Sequence, residues 1–315
     1  MGELSATTGA LSSYLNRAYD LFRDGAFAEG ETALEGALGL DFENGEVLAA
    51  LKCASFWQER RDRLGTVAEA YEKGEYLLKS WRAFLDFLER VKDASEACLY
   101  AMRQWVFGQA LANYLRLFEE GGGHDTELLF RIGRCFKGKG DYEHAVEFLE
   151  AASAQRRDDP EIIAELADSY AFINEVKAAK AFFREAFFID PQRIDLKLLE
   201  SLLIRRLIDR VRELGYARPA LEEWIPVYGV VYGVFNIKRE LKSLEYGKLR
   251  QSIQAIEGHL SDNGGDTEVM IPRLINRYLW LIDHYVSSHD ERDKIEEVLA
   301  KIKKLSPNIY EQIVN

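Results

Sequence analysis

Between residues 126 and 193 the apolar positions follow a pattern that runs twice. Ile132 and Gly133 answer to Leu166 and Ala167, Phe136 to Tyr170, Ala145 to Ala179, Leu149 to Phe183 and Ala152 to Ala186, each pair 34 residues apart. In each half an apolar residue stands beside a small one, with an aromatic residue one turn later, which is the stripe of a first helix. Gly140-Asp141-Tyr142 and Asn174-Glu175-Val176 follow. Gly and Asn accept positive φ and so end a helix in a tight turn. An Ala, a large apolar residue and a second Ala then recur at i, i+4 and i+7, one face of a second helix on which the alanines allow close approach. Asp190-Pro191 ends the second half, because a residue before proline is pushed out of helical space. The pattern predicts two helix–turn–helix units, 126–159 and 160–193.

The pattern extends in both directions. In residues 11–44, Tyr14, Ala18 and Leu21 form a first stripe, Gly25-Ala26-Phe27 the turn, and Gly30, Leu34 and Ala37 the second stripe. Residues 45–80 begin well with Leu48, Leu51, Cys53 and Phe56, and the charged run Gln58–Arg63 is expected to lengthen the turn. Residues 92–125 match in part, through Cys98, Ala101, Phe107, Ala110 and Tyr114, and end in Gly121-Gly122-Gly123. Leu279, Ile282 and Val286 with Ile295, Leu299 and Ile302 predict a degenerate unit at 276–309, followed by a short cap at 308–315. Residues 194–265 break the pattern. Ile194–Leu214 reads as one helix and Lys238–Leu260 as a long one, with a loop at Asp262-Asn263-Gly264-Gly265. Pro219–Tyr232 reads either as a buried helix with a close-contact face at Gly229 and Gly233 or as an irregular connector. The expected organisation is 1–193 repeats, 194–265 divergent helical connector, and 266–315 C-terminal helix pair and cap.

The 34-residue helix–turn–helix unit with small residues at the helix crossings and a terminal proline resembles the tetratricopeptide repeat. That resemblance implies an all-α fold, a superhelical stack of helix pairs (an α-solenoid) with a divergent helical C-terminal part. It implies a non-enzymatic scaffold or adaptor whose first helices line a concave surface for a protein or peptide. Side chains off the packing stripe would then face the partner: Leu15, Tyr19 and Phe22, then Phe130, Arg134, Lys137, Asp168 and Phe172. For Phe130 and Phe172 the other reading is packing between neighbouring repeats. Arg134 and Asp168 stand where the family's carboxylate clamp has Lys and Asn, so a clamp of that kind is not expected. The chain as a whole, including Gly74-Glu75-Tyr76-Leu77-Leu78 and Trp81, also resembles repeat proteins of the spirochaetal flagellar collar. That resemblance implies an alternative role as a structural component of a large bacterial assembly. The aromatic stretch Trp224, Tyr228, Tyr232 and Phe235 is a second candidate interface; its other reading is burial between the two helical parts.

Composition narrows the partners. The 315 residues are 47% hydrophobic and 30% charged with a formal net charge of -12. That acidity argues against nucleic acid, whose affinity rests on basic groups. Residues 1–50 carry Arg17 and Arg23 against nine carboxylates. The stretch 193–260 is locally basic, with Arg205, Arg206, Arg210, Arg212, Lys238, Arg239, Lys242, Lys248 and Arg250. It reads as a solvated helix face; the functional reading is a phosphate or anionic-lipid site. The odd, widely spaced cysteines Cys53, Cys98 and Cys135 predict neither disulfides nor a metal knot and read as core residues. His284 and His289 are five apart and do not share a helical face as metal ligands would; Asp283-His284 reads as surface or capping chemistry. Asp158-Asp159 before Pro160 suits a helix N-terminus, and Glu222-Glu223 reads as an ordinary acidic pair. No cofactor motif is found and none is expected. Met1–Ala6 shows no secretory pattern, and Trp224–Ile237, the most apolar run, is short of the roughly 20 residues of a spanning helix. A cytoplasmic protein is expected.

Overall fold

The computed structural model describes residues 2–91, 93–237, 241–263 and 267–314. Lys238, Arg239, Gly264 and Gly265 lie outside the described residues. The fold is all-α, of helical-repeat type, with no strand among the described residues. The helices are α1 (Gly2–Arg23), α2 (Phe27–Leu38), α3 (Gly45–Leu64), α4 (Ala70–Leu88), α5 (Glu96–Leu117), α6 (Thr126–Lys139), α7 (Tyr142–Gln155), α8 (Pro160–Phe172) and α9 (Val176–Ile189), continuing with α10 (Leu202–Glu213), α11 (Ala220–Val231), α12 (Ser243–Asn263), α13 (Thr267–Ser287), α14 (Arg292–Leu305) and α15 (Pro307–Val314). The chain forms two compact units, Met1–Ala152 and Ser153–Asn315.

The two central pairs repeat in geometry as well as in sequence. Phe136 of α6 stacks on Phe148 of α7 at 5.5 Å and 25°. Tyr170 of α8 stacks on Phe182 of α9 at the same 5.5 Å and 25°. The turns match too. Gly140 has φ 86° and Asn174 has φ 64°, and the following N–H returns to the first helix, Asp141 to the Phe136 carbonyl at 3.0 Å and Glu175 to that of Tyr170 at 2.9 Å. Gly133 lets α7 approach, since a Cβ there would stand 2.7 Å from Leu149. Asp159 caps α8 by accepting the Glu161 N–H at 3.2 Å, with Pro160 in the first turn.

In the first unit α5 is the hub. It packs on α1, α4 and α6, and its Trp105 meets Phe27 edge-on at 4.8 Å and Trp57 of α3 at 5.8 Å. Residues 96–117 therefore form one uninterrupted helix where a partial helix–turn–helix was expected. Buried Cys98, Ala101, Met102, Trp105, Ala110 and Tyr114 continue through it, and Gly108 between them stays helical. The charged run of α3 is likewise helix, not a longer turn. Arg63 pairs with Glu59 at 2.6 Å, Gln58 bonds Asp62 at 3.0 Å, and the Arg60 guanidinium lies 3.3 Å from the Phe56 ring centroid. These i, i+4 contacts favour the helical state.

In the second unit one core joins α8 through α15. Residues 194–214, expected as one helix, hold a 3₁₀ turn (Leu196–Leu198) and then α10. The Asp168 carboxylate on α8 accepts the N–H groups of Glu200 and Ser201, each at 2.9 Å, which sets the start of α10. The ambiguous stretch is α11, a buried helix. Gly229 lies against the Phe235 ring, where a Cβ would stand 2.3 Å away. The expected long helix starts at Ser243 rather than Lys238, and Asp262 and Asn263 belong to it. The stretch 276–309, expected as a degenerate repeat, takes in the second half of α13, which begins at Thr267, and α14, and α15 follows.

Candidate functional site: the α4–α5–α6 face of the first unit

The eight side chains expected to face a partner are mostly inside. Tyr19 is buried, its hydroxyl donating to Glu46 at 2.8 Å and sharing a hydrogen bond with Ser95 at 3.0 Å. Burial pushes its phenol far above the ordinary value. Phe22 is fully buried against Phe27, and Leu15 is buried with it. The α1 stripe is thus rotated: Leu15, Ala18, Tyr19 and Phe22 point inward, and Tyr14, expected in the core, is exposed. The reason is that α1 packs against α5, far along the chain. Phe130 is buried, and so is Lys137, at 3% exposure. Asp168 is buried and engaged with the backbone at the start of α10. Arg134 and Phe172 keep partial exposure.

Around Arg134 and Phe130 the structure gathers residues that the sequence did not assign to a partner-facing surface. Arg131 of α6 meets Glu75 of α4 through two contacts, Nε to Oε1 at 2.6 Å and Nη2 to Oε2 at 3.3 Å. Arg131 also pairs with Glu127 one turn earlier at 2.8 Å. Tyr114 of α5 donates its hydroxyl to the same Glu75 oxygen at 2.7 Å. Burial works to raise the Glu75 carboxyl, but the hydrogen bonds from Arg131 and Tyr114 outweigh it and hold the group below the usual glutamate range. The two guanidinium groups flank Phe130, Arg134 at 4.4 Å and Arg131 at 5.4 Å from the ring centroid. Tyr71 of α4 meets Tyr114 edge-on at 5.9 Å and is 38% exposed. The result is a partly exposed surface on α4 and α6, braced by buried Tyr114 of α5, that carries the Tyr71 ring, two carboxylates and two guanidiniums. Glu127 and Arg131 stand at i and i+4, a local signal readable in the sequence. Glu75 is 56 residues from Arg131, and nothing in the sequence links the two.

The second candidate interface is core. Trp224, Tyr228 and Phe235 are buried; Trp224 stacks on Tyr216 at 5.0 Å, and Phe235 meets Phe187 at 6.1 Å. Tyr232 is half-buried under the Arg210 guanidinium at 4.5 Å. Two acidic readings also change. Asp283 is buried and pairs with Arg184. Glu222 and Glu223 are buried, Glu222 with Arg218 at 3.0 Å and Glu223 with Arg273 and Gln192. All three cysteines are buried and free. His284 accepts the Leu241 N–H at 3.2 Å, and His289 lies beyond the end of α13. Among the described residues no group of His, Cys, Asp or Glu is arranged to hold a metal ion, and no helix is long and apolar enough to cross a membrane.

No curated protein matches the chain. Residues 137–203, from the end of α6 to the start of α10, match the family model of the tetratricopeptide repeat. With the repeated stacking and turn geometry of α6–α7 and α8–α9, residues 137–203 are a tetratricopeptide-repeat segment.

Proposed function

We propose that this chain is a non-catalytic interaction scaffold and that the α4–α5–α6 face of its first unit holds a segment of a partner protein. Tetratricopeptide repeats are in general protein-interaction modules and are typically non-enzymatic. The observation that carries the choice of face is the Glu75–Arg131–Tyr114 network. It fixes the side chains beside Arg134 and Tyr71 before any partner arrives, so little rotamer entropy remains to be lost on binding. Arginine and tyrosine are also the residue types that carry most interface energy. The partner is a protein rather than a nucleic acid, given the net charge of -12, and the setting is the cytoplasm.

The test is affinity purification of the chain with identification of the co-isolated proteins, repeated with Arg134→Glu and Tyr71→Ala together. Loss of one defined partner, with helicity and melting temperature retained, is the expected result. Capture that survives the double change at physiological salt would place binding elsewhere. Recovery of many parts of one bacterial machine would favour the alternative role as a structural component of an assembly.

A further inference from the structure

A polar cleft of about 430 Å³ opens between α12, α13 and α14 of the second unit. It is built in two layers, because each helix contributes a pair of residues at i and i+7, two turns apart on one face. On α12 these are Arg250 and Glu257, on α13 Tyr278 and Tyr285, and on α14 Lys294 and Lys301. Two turns of helix separate the layers by about 10 Å.

The lower layer is complete in itself. Glu257 receives the Tyr278 hydroxyl, and Lys301 reaches the same carboxylate at 3.1 Å. A carboxylate sits at the centre, with a phenol from α13 and an ammonium from α14 around it. The upper layer has the same phenol and the same ammonium, Tyr285 and Lys294, but α12 supplies Arg250 where the lower layer has its carboxylate. A second phenol, Tyr246, adds another donor. The contacts among these groups are long: 3.4 Å between the Tyr246 and Tyr285 hydroxyls, and 3.4 Å from Arg250 Nη1 to Tyr285. A settled O–H···O bond is nearer 2.7–2.8 Å. Lys294 is steadied from outside the layer by Asp290 at 2.7 Å. Among the described residues no ion pair joins Arg250 to a carboxylate. Burial, and then the bond with Tyr246, push the Tyr285 phenol up to about 12, so it keeps its proton and stays a donor at neutral pH.

We infer that the upper layer is a binding site for the phosphate group of a small phosphate monoester, whose oxyanion takes the place that the Glu257 carboxylate takes below. A phosphate monoester brings a charge near −2 and three strong acceptor oxygens, which suits a layer of two cations and two phenols better than a single carboxylate would. The cleft's volume of about 430 Å³ leaves room for the body of the ester beside the lower layer, where Glu297 also pairs with Lys301 at 3.8 Å. This site was visible in sequence only as the basic stretch that contains Arg250. It does not depend on the partner-binding face of the first unit.

The experiment is calorimetric titration of the full chain with glycerol phosphate at low salt, with glycerol as the uncharged control. Saturable binding of the phosphate ester and none of glycerol is expected. Arg250→Gln should weaken it about tenfold or more, the scale of a lost charge-assisted hydrogen bond. Tyr285→Phe, which removes one neutral donor, should weaken it about fivefold. Arg250 is exposed and makes one long contact, so the melting temperature of its variant should stay put and separate binding from folding. Absence of binding at millimolar glycerol phosphate, or equal binding by wild type and Arg250→Gln, would overturn the inference.

Discussion

Arg131 and Glu75 lie side by side across 56 residues of chain, guanidinium against carboxylate, with Nε–Oε1 at 2.6 Å and Nη2–Oε2 at 3.3 Å. The paired geometry matches the planar fork of arginine to a carboxylate, which a lysine could not reproduce. The Arg131 side chain is 16% exposed and that of Glu75 38%. The pair therefore stands between the nearly worthless surface ion pair and the costly buried one. Its role is to tie α4 to α6 across α5 and to fix the surface on which Arg134 stands.

The pair should show in the pH dependence of stability. The folded Glu75 carboxyl is held below its ordinary value, so it contributes stability that is present above the unfolded pKa of about 4.3 and is lost as pH falls through the lower folded value. Glu75→Gln removes that contribution. Urea melts of the two proteins should differ by about 1 kcal/mol at neutral pH, and the gap should close between about pH 4.3 and lower values. A gap that widens on acidification would contradict the assignment. Because Glu75 is more than a third exposed, solvent screening keeps the effect small.

Gly74→Ala tests the same region through packing. A Cβ at Gly74 would stand 2.3 Å from the Tyr114 ring. Tyr114 is fully buried and tethered through its hydroxyl to Glu75, so the ring has little room to yield. Overpacking of this kind costs about 1–3 kcal/mol, against a gain of roughly 1 kcal/mol in helix propensity. A net loss of up to about 2 kcal/mol is expected, with weaker protection of the Tyr114 hydroxyl in exchange measurements. A stabilised variant would show that α4 and α5 are not closely packed at this point.

The repeat itself was legible. The 34-residue spacing that links Phe136 to Tyr170 and Gly140 to Asn174 is a local, periodic signal, and the structure places those residues in the same stacking and turn geometry. What the sequence did not show is which side of a helix meets a distant partner. The α1 helix has apolar residues on more than one face, and α5 selects Leu15, Tyr19 and Phe22 for the interior. The same holds for the polar links. Glu75 with Arg131, Asp168 with Ser201 and Arg184 with Asp283 are separated by 56, 33 and 99 residues. An acidic residue that caps a remote helix looks the same in sequence as one that faces water.

Asp168 illustrates the consequence. Its two oxygens receive the Glu200 and Ser201 N–H groups inside the second unit, so its replacement should act on folding. Asp168→Ala leaves the buried Ser201 N–H and the part-buried Glu200 N–H without that acceptor, at about 1–3 kcal/mol for the buried one and less for the other. A loss of about 2–4 kcal/mol in chemical denaturation is expected, with faster amide exchange at the start of α10. Unchanged stability with altered partner binding would restore Asp168 to the interaction surface.

Arg134 and Lys137 separate binding from folding most sharply, because they are neighbours on α6 with opposite surroundings. At i and i+3 they were expected to reach one ligand together. The structure leaves Arg134 half-buried with its guanidinium over Phe130 and buries Lys137 to 3% exposure. Reversing a buried charge puts a carboxylate where the structure holds an ammonium, and disrupting a buried charged site costs roughly 3–5 kcal/mol. Lys137→Glu should therefore lower the melting temperature markedly and lose partner binding through unfolding. Arg134→Glu should leave the melting temperature within a few degrees of wild type, because the site has access to water and the cation–π contact with Phe130 is worth only about 0.5–1 kcal/mol. If the proposed face is right, Arg134→Glu still weakens capture of the partner, and more strongly at low salt than at high, because a charge repulsion at an exposed rim is screened. Melting curves and pull-downs on the two single variants decide the matter. A well-folded Lys137→Glu protein would show that this lysine is not buried as described. An Arg134→Glu protein that is stable and binds normally would remove α6 from the interaction surface.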